Sequence, residues 1–255
     1  MASYYELKNA PEPISLDVFL DELDKLGDSI FSKEHFDKTL HLLQRLYANR
    51  EFLLDVVKNY LENPDSQNIN HYTSQVFILA ERENYTIRAP VWIPDGELVS
   101  SRVFAYGLAH DHNFDLLTIG YLGTGYTTYM YSYDADAVTG FKGEDVKLSD
   151  CSTFKLTQGS ALFMKGNHDI HVQLPPNELS ISLNILKSSG SSTKQFEFDI
   201  ENQKIIRPIR NEIGKSILEL SGYFFNDETE GRLKTFSKAT GLINFNQRNE
   251  GNLLK

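Results

Sequence analysis

Between Ser74 and Pro208 the chain is cut into many short β-forming runs, and this pattern restricts the fold more than any other feature. The runs are 74–82, 85–93, 103–106, 116–122, 127–133, 152–156, 160–165, 172–174, 179–186, 194–200 and 204–208, separated by Gly, Asn, Asp or Pro. Short strands at this spacing, with no helical pattern between them, predict a sandwich or barrel of mainly β structure rather than an alternating βαβ fold. No Gly-x-Gly-x-x-Gly stands at a strand-to-helix junction, and Gly120, Gly123 and Gly125 read as a turn between two strands.

The flanks follow a different period. Leu16, Phe19, Leu20, Leu23 and Leu26 recur at helical spacing, with Ser15 as N-cap and Gly27 as stop. Ser32 is placed to cap a second helix carrying Phe36, Leu40, Leu43 and Leu46, and Phe52 to Leu61 a third, ending before Pro64. These stripes predict an N-terminal helical bundle. Residues 1–14, with Pro11 and Pro13, read as a loose lead. Ile209, Ile213, Ile217, Leu218 and Leu220, then Leu233 and Phe236, predict C-terminal helices. The expected organisation is a helical flank over 1–73, a β-barrel over 74–208 and a helical extension over 209–255, integrated into one domain.

Composition removes several function classes. The formal net charge is −10, whereas nucleic-acid binding needs a basic face. A single cysteine, Cys151, allows no internal disulfide and no Cys-rich zinc site. The first residues lack a secretory pattern, and no apolar run reaches membrane-spanning length, so a soluble cytoplasmic protein is the expectation. The apolar N-terminal stripe also suits a homodimer interface.

His110 and His112 carry the chemistry. On an extended segment residues two apart point the same way, so both imidazoles converge. Neutral imidazoles are natural ligands for a borderline transition metal, although a lone His-x-His pair also suits packing. A second histidine segment, His168-Asp-Ile-His171, follows about 60 residues on. Three residues apart on a strand, its two rings face opposite ways, so one ligates. Asp169 shares a face with His171, as ligand or partner, and Asp115 faces away from His112. His35, His41 and His71 read as structural or solvated.

Two segments resemble the paired motifs of the cupin superfamily. Gly107 with His110 and His112 is similar to the first, and Gly159-Ser-Ala-Leu-Phe-Met followed by His168 and His171 to the second. The resemblance covers roughly Ser74 to Pro208 and implies a double-stranded β-helix, the cupin-like barrel. The usual motif has a Glu four or five residues after the second His, where this chain has Leu116 and Leu117. What remains resembles the three-histidine thiol dioxygenases, the cysteine dioxygenase-like branch, through His-Asp-His, Asp-Ile-His171, Ser180 to Asn184, and Arg88 before Val91-Trp92. Where that branch often ends its last strand Ser-Leu-His, this chain has Asn184.

The resemblance implies a metal held by His110, His112 and His171, with His168 as the alternative third ligand. Three neutral donors and open positions suit Fe(II) with dioxygen, while zinc, manganese and nickel stay open. The function expected is a mononuclear non-haem oxygenase acting on a small amino-acid-like, thiol or peptide substrate. The alternatives are a metal- or ligand-binding regulatory cupin and a non-redox isomerase or lyase. Arg88 is expected to grip a substrate carboxylate. Tyr126, Tyr129, Tyr131 and Tyr133 form a run in which Tyr129, Tyr131 and Tyr133 share one face by period two; they are expected to line the pocket and donate hydrogen bonds, with barrel packing as the other reading.

Overall fold

The computed structural model describes residues 2–7, 11–62, 76–94, 106–188 and 194–209. This fold lies almost wholly within one compact unit, Met1–Pro208. The C-terminal helices expected over 209–255, the turn at 95–97 and the strand start at 103–105 lie outside the described residues, as does His71.

Two six-stranded sheets make the architecture. In the first, the spatial order is β1 (Ser3–Tyr5), β8 (Ala161–Met164), β5 (Phe114–Leu122), β10 (Ser180–Ser188), β3 (Tyr85–Trp92) and β2 (Val76–Glu81). In the second it is β12 (Lys204–Ile209), β11 (Gln195–Asp199), β4 (His110–Asp111), β9 (Asp169–Gln173), β6 (Thr127–Ser132) and β7 (Ser152–Lys155). The pairs are antiparallel, as in β10 with β5 and β4 with β9. The chain is thus mainly β, as the punctuated runs predict, with the described strands arranged in two antiparallel sheets.

Among the described residues three α-helices, α1 (Leu16–Asp24), α2 (Phe36–Ala48) and α3 (Phe52–Glu62), lie between β1 and β2. Ser15 caps α1 by accepting from Val18 N, and Gly27 follows its end at φ +52°. His35, not Ser32, is the N-cap of α2; Ser32 accepts from His35 N one turn earlier. The helices do not form a bundle with a core of its own. Phe19, Leu23, Leu43 and Leu46 share one cluster with Ile87, Leu117, Ile119, Leu183 and Ile185 from the outer face of the first sheet. Each such side chain contributes roughly 1.5–3 kcal/mol on burial, and the apolar helix stripes bury theirs in a core shared with that sheet face.

The expected loose lead is partly strand. Ser3–Tyr5 pairs with β8, and Tyr4 stacks on Phe154 at 5.5 Å, so two aromatic anchors override the two prolines downstream. The turn at 123–126 needs its glycines. Gly123 and Gly125 have φ +80° and +70°, and a Cβ at Gly125 would overlap the Leu156 carbonyl.

Behind the second sheet, Ala109, Tyr133, Val146, Ile170, Phe196, Phe198 and Ile205 form another core beneath the segment 134–149. Glu144 ties that segment. Its carboxylate accepts from Thr139 N at 2.8 Å, Gly140 N at 2.6 Å and Phe141 N at 3.1 Å. The Thr139 backbone bond is the main cause holding its pKa below the usual value. A depressed carboxylate contributes stability above its unfolded pKa and loses it as pH falls through the folded one. Glu144→Gln is therefore expected to lower the melting temperature at pH 7, with the gap to wild type narrowing towards pH 3. An equal gap at both pH values would show that the charge is not what holds this segment.

Candidate metal centre

His110 and Asp111 make up a strand of two residues. After them the chain crosses from the second sheet to the first, entering β5 at Phe114. The histidine pair therefore sits at a crossover rather than at the start of one continuous strand. His110 pairs with His171 of β9, and His171 pairs with Met130 of β6, so these three side chains share the inner face. The His110 and His171 rings have centroids 4.3 Å apart, and His112 lies 5.0 Å from His110 and 4.8 Å from His171. Phe114 stacks on His112 at 4.6 Å and 16°, which holds that ring.

Each of the three offers a ring nitrogen within 4.8 Å of the others. His110 Nδ1 lies 3.0 Å from the Leu108 carbonyl, which only accepts, so Nδ1 carries the proton and Nε2 presents its lone pair. Nε2 of His110 and Nε2 of His171 stand 3.0 Å apart. That is about the edge spanned by two imidazoles each roughly 2.1 Å from one ion at a right angle. His171 Nδ1 is buried without a hydrogen-bond partner among the described residues. Burial is the first cause lowering all three imidazole pKa values, those of His112 and His171 far below the usual value. Neutral, convergent nitrogens, from buried His110 and His171 and half-buried His112, with no carboxylate in the cluster, fit a borderline divalent transition ion.

The other sequence-derived residues distribute unevenly. His168 is outside the cluster. It is partly exposed, and its Nδ1 lies 2.8 Å from Asp169 Oδ1. Asp169 also accepts from Lys165 N at 2.9 Å, closing the turn before β9, and Asp115 accepts from Gly166 N at 2.9 Å. Arg88 does face the interior, in register with Asn184, and its positive charge adds to the depression of the His112 and His171 pKa values.

Tyr129 and Tyr131 require a correction. Tyr129 pairs with Val172 and Tyr131 with Ile170, so both lie on the face of β6 opposite Met130 and the imidazoles. Tyr129 is 36% exposed, and Tyr131 packs against the outer core. Period-two alternation sets them on one face, and the register with β9 makes that face the outer one.

Tyr126, delivered inward by the glycine turn, stands where those tyrosines were expected. It is buried, interacts with Gln173 and Thr118, and burial pushes its pKa up to about 12. Its ring lies 4.8 Å from that of Trp92. On the first sheet's inner face, Asn184 Oδ1 accepts from Thr118 Oγ1 at 2.7 Å and from Ser182 Oγ at 3.1 Å, while Trp92 Nε1 donates to Ser182 Oγ at 3.1 Å. The wall around Arg88 is thus a fixed polar network. Two hollows of about 510 and 400 Å³ lie elsewhere, beneath 134–149, sharing Asp134 and Lys147; no imidazole of the cluster lines either.

No protein-family model matches the chain, and no curated protein matches it. Among solved structures it is similar to a DMSP lyase at 12% identity and TM-score 0.28, over 47% of this chain and 50% of that one. It is also similar to a candidate mannose-6-phosphate isomerase from Ralstonia eutropha at 10% identity and TM-score 0.26, over 46% and 88%. A third is HEPD from Streptomyces albus with 2-hydroxyethylphosphonate and Fe(II) bound, at 11% identity and TM-score 0.28, over 48% and 23%. The chain thus spans about half of the DMSP lyase and under a quarter of HEPD. Likenesses this distant leave the site to be argued from its own residues.

In a cobalt(II) titration, His171→Ala is expected to weaken binding at least about 100-fold, because removing one of three donors leaves the ion poorly held. His168→Ala is expected to match wild type. Equal loss in both variants would contradict the placement of the third ligand.

Proposed function

We propose that the chain is a cupin-type mononuclear non-haem metal enzyme, an Fe(II)-dependent oxygenase acting on a small anionic substrate of amino-acid, thiol or peptide type. The observation that carries this reading is the convergent cluster of three neutral imidazoles, two buried and one half-buried, with no carboxylate among them. Three neutral donors leave a divalent ion its full charge, and Arg88 adds another positive charge on the facing wall. An occupant that brings negative charge balances this best. The bound ion would supply Lewis acidity and a place for dioxygen beside the substrate.

The chain's own residues do the remaining work. Arg88 offers a planar fork to a carboxylate, and the surrounding network of Thr118, Ser182, Asn184 and Trp92 limits how that fork can turn. Tyr126 presents a phenol that burial keeps protonated, so it donates rather than accepts charge. Leu116, Met130, Leu162 and Met164 form an apolar cluster with Tyr126 that excludes water from one side.

The test is anaerobic reconstitution with iron(II), followed by oxygen uptake across a panel of thiols, amino acids and short peptides. Substrate-dependent uptake at one-to-one stoichiometry with product supports the oxygenase. Turnover without oxygen uptake replaces it with an isomerase or lyase, and tight metal binding without turnover replaces it with a binding protein. For whichever panel member turns over, Arg88→Met is expected to raise KM about 10- to 100-fold, the value of one charge-assisted pair of about 1.5–3 kcal/mol. An unchanged KM removes Arg88 from substrate binding.

A further inference from the structure

We propose that Asp111 is a positioning residue of the metal centre, its buried carboxylate holding the two-residue strand that aims His110 and His112. This rests on the metal-centre reading above. A strand as short as β4 has little ladder to fix it: one residue pair with β11 and two with β9. The side chain between the two imidazoles supplies what the ladder lacks. Asp111 is 0% exposed. Its Oδ2 accepts from the Tyr133 hydroxyl at 2.7 Å, and its Oδ1 accepts from Phe196 N at 2.6 Å.

Those donors come from three-dimensional neighbours on both sides. Tyr133 follows β6, while Phe196 belongs to β11, where its N–H is bound by a side chain rather than by a strand carbonyl. The Asn167 side chain also interacts with the Asp111 carboxylate, and Asn167 N donates to the His112 carbonyl at 2.6 Å. Asn167 adopts φ +52°, a left-handed conformation that lets the turn before β9 reach back to the crossover. The carboxylate and the backbone carbonyl beside it are therefore held from β6, β11 and the 165–168 turn together. Because Asp111 points to the outer face and the rings to the inner one, it sets the direction of both without touching the ion.

Cobalt(II) affinity, read from the visible absorption of the bound ion, separates positioning from mere stability. Asp111→Asn keeps the shape but leaves one accepting oxygen where the carboxylate offers two to Phe196, Tyr133 and Asn167, and is expected to weaken cobalt binding about 10- to 100-fold. Tyr133→Phe, which removes one hydroxyl, is expected to weaken it less and serves if Asp111→Asn does not fold. Ile30→Val, in the core between the helices and the first sheet and away from the imidazoles, is the stability control: it is expected to lower the melting temperature while leaving cobalt affinity within about 2-fold of wild type. Asp111→Asn and Tyr133→Phe that bind cobalt as wild type does would overturn the proposal.

A second readout needs no metal. In the metal-free protein, ¹⁵N shifts are expected to show His110 as a single Nδ1–H tautomer, and a mixture in Asp111→Asn. An unchanged tautomer in the variant would overturn the positioning role. Wild type that takes up no cobalt would instead sink the metal-centre reading, with the tautomer measurement still deciding what Asp111 does.

Discussion

The pairing of His110 with His171 across β4 and β9 is the contact on which the rest of the site depends. Side chains alternate faces along a strand, so a slip of one residue would set Ile170 or Val172 opposite His110 and turn His171 outward. The outer core guards against that slip. Ile170 is buried behind the same sheet with Phe196 and Phe198, and the slip that removed His171 from the interior would also take Ile170 out of that core and set an imidazole in its place. Apolar packing on one face thereby enforces the arrangement of polar groups on the other.

That arrangement concentrates positive potential. Burial keeps the imidazoles neutral and ready to donate lone pairs, while Arg88 keeps its charge and looks towards them from the first sheet. The hydroxyls and amide around Arg88 are spent on one another through Asn184, so they present a rigid surface in place of a set of free donors. Preorganised polar walls lose little entropy when a ligand docks, and hold it in one orientation. The helices act at a distance: by covering the outer face of the first sheet they free its inner face to be polar.

Much of this was legible in the amino-acid order. The N-cap at Ser15, the punctuated strands and the glycine turn after Leu122 are local signals, and local physics decides them. The spacing of His110 and His112 put two rings together whether or not they shared a strand with the run that follows. Other features depend on partners distant in sequence. Alternation showed that Tyr129 and Tyr131 share a face, but only the register with β9 decides which face is inside. Asp111 binds groups 22 and 85 residues away, so nothing beside it in the chain marked its role, except that it stands between two candidate ligands. Tyr126 carried a weak signal, an aromatic residue directly after a forced turn. β1 was hidden by the prolines that follow it.

The central claim is that one divalent ion is held by exactly these three imidazoles. X-ray absorption of the protein loaded with one equivalent of iron(II) tests it most directly. The account predicts the outer-shell scattering of three imidazoles, with metal–nitrogen distances of about 2.1 Å, the remaining positions filled by light atoms. A fit requiring one imidazole or none, or an ion that does not stay bound through buffer exchange, would contradict it.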